Sequence, residues 1–411
     1  MRNRSLLIAT TLAVTGALSL TACGSRGGSS GSGSSAAANT TVTIGVDAPL
    51  TGSLTALGQG IKNSVDLAVN TANKTKEVPG VTFKIEPLDD QAQPSSGQQN
   101  AAKLVADPSV VGVVGPLNSS VAQSMQKVFD NANLVEVSPA NTNPSLTQGP
   151  DWAKGTKVRP FKSYFRTATT DAIQGPFAAQ YAYSTLGKKK VFLVDDQLTY
   201  GVGLVGTFEG EFKTLGGTVA GQDHVTDGTK DFSALVSKIK ASGADLVYYG
   251  GQYPEAGPLS GQLKSAGDNI PLIGGDGIYD PAYIAAANGK ANGDFATSVG
   301  APVETLDSAK TFIANYDAAK YSSPYAAYGG YSYDSAWAII EAVKAVAAAN
   351  NGKLPANPRQ AIEDAMSKVS FSGVTGTVSF DQYGDATNKQ LTVYEVKNGA
   401  WVAAKTGTFT G

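Results

Sequence analysis

"VVGVVGPLNSSVAQSMQKVFDNANLVEVSPA", residues 110–140, decides the fold. It opens on an apolar β-branched run, "VVGVVGPL" (110–117), and passes into "SSVAQSMQKVFDNAN" (119–133), whose apolar residues recur at helical spacing. It closes on a second β-rich run, "LVEVSPA" (134–140). Short β-branched runs separated by a longer periodic segment predict parallel strands joined by a crossover helix.

The same unit repeats on both sides. Upstream, "TVTIGVDAPL" (41–50) leads into "LGQGIKNSVDLAVNTANK" (57–74), and "VTFKIEPLDD" (81–90) into "SSGQQNAAKLVAD" (95–107). Downstream the pattern restarts with "SYFRTAT" (163–169) and a helix beginning near Asp171. Strands follow at 190–196, 218–226, 245–251, 271–277 and 293–302, with helices between them. Two such series predict an α/β protein of two doubly wound, Rossmann-like lobes. Helical segments are expected at 306–321, 330–350 and 358–369, then hairpins with turns at "YGD" and "NGA".

The N-terminus sets the address. Arg2 and Arg4 precede the apolar run "LLIATTLAVTGALSL" (6–20), the charge order and length of a secretory signal and short for a membrane span. "LTAC" resembles a bacterial lipobox, and Cys23 is the one cysteine in 411 residues. The expectation is a signal peptide at 1–22, then a lipidated Cys23 and a flexible Gly/Ser tether over 23–40. With a single cysteine the chain has no internal disulfide, so its stability must come from its core. A hydrophobic content of 42% suits a folded two-lobed body, and a formal net charge of −2 points to neither nucleic acid nor an anionic bilayer.

In open α/β sheets, ligands bind beyond the carboxyl ends of the strands, so the residues there carry the functional reading. "GPLNSS" (115–120) brings Ser119 and Ser120 to a helix start, where a serine caps the helix or receives an anion with the free N–H groups. "SPANTNPSLT" (138–147) places Thr142 at the same edge, able to cap locally or to present its hydroxyl to the same anion. In "GGDG" (274–277), Asp276 either forms an Asx-turn or pairs with an ammonium group.

"GPLNSS…VEVSPANTNPSLT", "FRTATTDAIQGP", "VFLVDDQLTYGVG", "DFSALVSKIKASGADLVYYGGQYPEAG" and "LIGGDG" together resemble the leucine/isoleucine/valine-binding family of ABC-transporter substrate-binding proteins. The resemblance covers nearly the whole mature chain. It implies the type I periplasmic-binding-protein fold, closing on a ligand between lobes crossed three times by the chain. The implied lobes are 41–165 plus 301–388 and 166–300 plus 389–411. It also implies a carboxylate anchor at Ser119 and Thr142 with the backbone around Leu117 and Ala140, an acidic ammonium partner at Asp276, and a cleft tyrosine at Tyr200. Tyr325, or Tyr328 in the same tyrosine-rich stretch, is the implied aromatic wall. Three positions depart from the family pattern: Gln252 replaces a cleft tyrosine, Leu57 an aromatic at the mouth, and Asp276 a longer glutamate. The zwitterion grip is retained, and Gln252 is able to hydrogen-bond a polar side chain.

Other readings fare worse on the residues. "GVGLVG" (201–206) matches G-x-G-x-x-G, with Asp223 beyond it, but "DDQLTY" separates it from its strand, where a nicotinamide-cofactor fingerprint wants the first glycine at once. His224 is the one histidine, with no ligand set beside it, and Asp195, Asp196, Asp89 and Asp90 read as strand-end caps. A receptor's sensing lobe would need a membrane or signalling segment, and none is legible after residue 41. The expectation is therefore a monomeric, lipid-anchored, extracytoplasmic binding protein. It would use no cofactor or metal, perform no catalysis, and deliver an amino acid, of branched-chain type or a relative, to an ABC permease. Short amides, urea or small carboxylates are the alternative ligands, and an oxidoreductase is the remote one.

Overall fold

Two parallel sheets with the same strand order organise residues 39–409, the part of the chain that the computed structural model describes. The signal segment, Cys23 and all but the last two residues of the tether lie outside the described residues. The first sheet holds β1 (Thr40–Ala48), β2 (Val81–Asp89), β3 (Val110–Val114), β4 (Val135–Ser138) and β5 (Tyr164–Arg166) in the order β2-β1-β3-β4-β5. The second repeats that order with β6 (Lys190–Asp195), β7 (Thr218–His224), β8 (Leu246–Gly250), β9 (Leu272–Gly274) and β10 (Phe295–Val299), as β7-β6-β8-β9-β10. A separate ribbon pairs β11 (Ser370–Gly373) with β12 (Gly376–Ser379). The antiparallel strands β13 (Gln390–Lys397) and β14 (Ala400–Thr408) then extend the second sheet beside β10.

The helices are α1 (Thr55–Thr75), α2 (Pro94–Ala106), α3 (Ser119–Asp130), α4 (Ser145–Gln148), α5 (Asp171–Gln180) and α6 (Thr199–Thr214). They continue with α7 (Ser233–Ser242), α8 (Tyr253–Ser265), α9 (Pro281–Ala286), α10 (Lys310–Ala319), α11 (Gly329–Ala349) and α12 (Arg359–Met366). Around the first sheet, α1 packs on α11 and α2 packs on α3. Both faces are therefore covered, which is why seven successive residues of β1, Val42–Ala48, are buried. Leu104 of α2, Val113 of β3 and Val121, Met125 and Phe129 of α3 form one core. A larger core joins β1, α1 and α11 to the second sheet without a break.

The fold is that expected from the sequence: two doubly wound lobes, crossed by the chain after Arg166, after Val299 and before Gln390. Details at the C-terminus differ. The segment 306–321 shortens to α10, because 3₁₀ turns at Val303–Thr305 and Asp307–Ala309 precede it. Asn398 and Gly399 both adopt positive φ (52° and 77°), the backbone of the two-residue turn joining β13 to β14. The "YGD" turn closes only a single bridge, Phe380 to Ala386; the paired strands nearby, β11 and β12, turn at Val374–Thr375.

Each sheet reverses direction between its first and third strands in sequence, so β3 and β8 border the switch points where open α/β sheets bind ligands. Ser119 follows β3, Thr142 follows β4, Tyr200 follows β6, Gln252 follows β8 and Asp276 follows β9.

Candidate functional site

Ser119 is the first residue of α3, and its residue before, Asn118, makes no side-chain cap. Its own Oγ is buried and meets no partner among the described residues. The capping reading therefore does not hold; the hydroxyl is free at a helix N-terminus, where unpaired N–H groups and the helix dipole favour an anion. Thr142 behaves alike: its buried Oγ1 makes no well-formed hydrogen bond among the described residues, though it lies close enough to the Asp171 carboxyl to pull that group down, and its carbonyl accepts from Asp171 N–H at 2.8 Å.

The turn carrying Thr142 is rigidly held. Ser138 Oγ donates to the Pro116 carbonyl (2.8 Å) and accepts from Asn141 N–H (2.9 Å) and Ala140 N–H (3.2 Å). Asn141 Nδ2 donates to the Leu117 carbonyl (2.8 Å), and Tyr164 donates its hydroxyl to Asn141 Oδ1 (2.9 Å). Fully buried Arg166 donates to the carbonyls of Asn141 and Asn143, touches Thr147, and pairs with Asp385 at 2.7 Å. Leu117 and Ala140 thus frame the two hydroxyls with backbone already fixed before any ligand arrives.

Across from them, Asp276 is buried between Gly275 and Gly277. A Cβ at Gly275 would collide with the Tyr200 hydroxyl, and one at Gly277 would lie 2.9 Å from both Gln252 Oε1 and the Tyr200 ring. The glycines let those two side chains close on the aspartate. Its Oδ1 accepts from Tyr200 Oη (2.8 Å) and Gln174 Nε2 (2.8 Å), and its Oδ2 from Tyr328 Oη (2.7 Å). Gln252 Oε1 is buried without a partner among the described residues.

Two features were not singled out from the sequence. Asp171, at the start of α5, is fully buried and shares the Gln174 amide with Asp276, accepting from Nε2 at 3.0 Å. Its second oxygen is unpartnered. Burial, and after it the charge of Asp276, pushes its carboxyl up to about 7. Burial also raises Asp276, against the hydrogen bonds from Tyr328, Gln174 and Tyr200 that pull it down. The signal for Asp171 was present: it follows β5 at the same sheet edge as Ser119. The second feature is Tyr253, beside Gln252, whose hydroxyl donates to the Ser53 carbonyl at 2.6 Å and ties the second lobe to the loop after β1.

Tyr200, Gln252 and Asp276 meet at the strand ends of the second sheet, and Leu117, Ser119, Ala140 and Thr142 lie at the strand ends of the first. Asn143 Nδ2 donates to the Thr199 carbonyl (2.6 Å) and Thr199 Oγ1 to Gln123 Oε1 (2.7 Å), holding those ends together. Leu57 lies in the apolar core that also contains Leu117, Ala140 and Tyr200. Tyr328, not Tyr325, meets Asp276; Tyr325 donates its hydroxyl to Glu304 at 2.6 Å and lines a neighbouring cavity.

The remaining motifs take structural places. Gly201 and Gly203 lie inside α6, where Gly201 packs against the Gly250 carbonyl and Gly203 against the Asn143 amide. That is helix packing, not a phosphate-binding turn. Asp195, Asp196 and Asp90 accept from the backbone N–H two residues ahead, and Asp89 from Gln91 N–H. His224 pairs with Asp195 at 2.8 Å. Among the described residues no group of three or more His, Cys, Asp or Glu side chains is placed to hold a metal ion.

Two doubly wound lobes with unpaired buried hydroxyls and a buried carboxylate pair at their strand ends define a protein built to enclose a small polar solute. The chain belongs to the periplasmic binding protein family, whose model matches residues 41–400. The Leu/Ile/Val-binding protein BraC3 of Rhizobium johnstonii is 31% identical over 368 residues, 90% of this chain and 95% of its own. An amino acid binding protein of Pseudomonas aeruginosa is 31% identical over 356 residues, 86% and 90% of the two chains. Among solved structures, the leucine binding protein LivK of Thermotoga maritima superposes with a TM-score of 0.78 at 27% identity, covering 89% of this chain and 98% of its own. LivJ of Streptococcus pneumoniae, in complex with isoleucine, gives 0.78 at 26% identity, with 90% and 99% covered.

Proposed function

We propose that this protein is the extracytoplasmic solute-binding component of an ABC importer, capturing an amino acid of branched-chain type by lobe closure and delivering it to a membrane permease. The observation that carries the reading is the pairing of two buried, unpartnered hydroxyls, Ser119 and Thr142, with two buried carboxylates, Asp171 and Asp276. Hydroxyls and helix N–H groups receive the ligand carboxylate; the carboxylate pair receives its ammonium group. Leu117 and Ala140 contribute backbone to the first end, and Tyr200 and Tyr328 hold Asp276 at the second. Gln252 and Leu57 shape side-chain preference in place of aromatic surfaces.

The ligand docks first on the lobe of 41–165 plus 301–388, and the lobe of 166–300 plus 389–411 closes over it. Closure removes water and strengthens the charge pairing. The chain acts by binding alone, as a monomer, with Cys23 lipidated and residues 24–40 as its tether to the membrane. The names of its relatives, which are Leu/Ile/Val-binding or amino acid binding proteins, support the ligand class.

A thermal-shift screen against the twenty amino acids, their amides, urea and small carboxylates tests the reading. Ligand at one hundred times its dissociation constant adds about 2.7 kcal/mol to stability. Stabilisation by leucine, isoleucine or valine is expected. Silence from every amino acid alongside a response to an amide, urea or a carboxylate would overturn the assigned chemistry.

A further inference from the structure

Beside the Asp276 turn, and lined by neither Ser119, Thr142, Asp171 nor Asp276, lies a cavity of about 630 Å³. It is within the range that small-molecule sites occupy. Five aromatic side chains face it: Tyr279, Tyr325, Tyr331, Tyr394 and Trp401. They are fixed before anything enters. Tyr279 stacks on Tyr394 at 4.0 Å between ring centres and meets Trp401 at 5.8 Å. Trp401 donates its indole N–H to the Asp280 carbonyl at 3.0 Å. Tyr325 packs edge-on against Phe312 and donates its hydroxyl to Glu304.

The charge of the lining has one sign. Glu304, which is exposed, and Asp280, whose carboxylate caps α9, are its only ionisable groups besides the tyrosines; no Lys, Arg or His contributes. Aromatic faces carry negative charge density and attract cations, most strongly over Trp, and a carboxylate at the rim adds to the same potential. An anion would find no cationic partner in this lining among the described residues. A neutral aromatic would gain the rings but not the charge.

We propose that this cavity is a second binding site, for an organic ammonium ion carrying an apolar body, such as an arylalkyl or quaternary amine. Tyr279, Tyr394 and Trp401 form its wall, and Glu304 supplies the counter-charge. Tyr325 and Tyr331 come from the segment that opens α11, whereas Tyr279, Tyr394 and Trp401 come from the second lobe, so the occupant bridges both lobes. The site stands apart from the amino-acid grip, whose own failure would leave it untouched.

Calorimetric titration of the full chain with benzyltrimethylammonium, alongside benzyl alcohol and benzoate, tests it. Saturable binding of the cation is expected, at least tenfold tighter than benzyl alcohol, with no binding of benzoate to this cavity. Trp401→Ala should weaken it at least tenfold, Trp401→Phe less, and Glu304→Gln about fivefold, while Ser119→Ala and Asp171→Asn leave it unchanged. Leucine titrations on the same samples report the first site independently. Absence of cation binding, equal binding of benzyl alcohol, or loss in Asp171→Asn rather than in the Trp401 variants would overturn the proposal.

Discussion

Ser119 and Asp171 carry opposite kinds of evidence about the same ligand. Ser119 Oγ is buried with no partner, so the unliganded fold gains nothing from it. Ser119→Ala should therefore cost about 1.5–3 kcal/mol of amino-acid affinity, roughly tenfold or more, as the loss of a hydrogen bond to a charged group. The melting temperature without ligand should stay level or rise; a fall would make the hydroxyl structural. Asp171 predicts a pH effect. Its carboxyl, raised to about 7, holds a proton below that pH, and an arriving ammonium group must displace it. Affinity should rise about tenfold per pH unit towards pH 7 and level off above it, by proton linkage. Calorimetry between pH 5 and 8 reads the slope, and Asp171→Asn should flatten it. A flat profile in the parent protein would remove Asp171 from the ammonium end.

At the scale of elements, the strands and their order were legible because both series keep the β-branched run and the helical period intact. The candidate site was partly legible for the same reason: strand-end positions follow once strands are placed, which gave Ser119, Thr142 and Asp276 as candidates, while Tyr200 came from the family resemblance. Asp171 was not singled out because an acid at a helix start also reads as a favourable dipole contact, and its raised carboxyl depends on burial and on the charge of Asp276, about one hundred residues away. Whether Tyr325 or Tyr328 meets Asp276 turns on the loop before α11, and a one-turn difference there is invisible in a run of tyrosines.

The strand β4 contains the sharpest local conflict. Glu136 is buried in it with both carboxylate oxygens unpartnered, and burial holds its carboxyl well above the ordinary range. A carboxyl raised in the fold is favoured there only with its proton. Below the unfolded pKa of about 4.3, both states are protonated and no linkage penalty exists. As pH rises above that value the unfolded chain ionises first, and stability falls. Glu136→Met should thus raise the urea midpoint at pH 7, and raise it less at pH 4. Destabilisation at pH 7 would show that Glu136 has a partner or role that its surroundings do not disclose.

Direct bonds that link residues of the two lobes include Tyr253 to Ser53, Asn143 to Thr199, Thr199 to Gln123 and Tyr328 to Asp276. Each favours the closed form without touching the ligand's ends, except Tyr328, which orients Asp276. Tyr253→Phe removes one such bond and keeps the ring, so it should lower amino-acid affinity by about 0.5–1.5 kcal/mol, mainly through faster release. Stopped-flow fluorescence would read the release rate; an unchanged rate would show that this bond plays no part in closure.

The central claim is that one ligand is gripped at both ends, carboxylate on Ser119 and Thr142, ammonium on Asp171 and Asp276. Calorimetric titration of L-leucine against its two halves, 4-methylpentanoate without the ammonium group and 3-methylbutylamine without the carboxylate, tests it most directly. The account predicts that either half binds at least a hundredfold more weakly than leucine, since each leaves one buried end without its partner. If 4-methylpentanoate bound as tightly as leucine, the carboxylate pair would have no ammonium to hold, and the two-ended grip would be wrong.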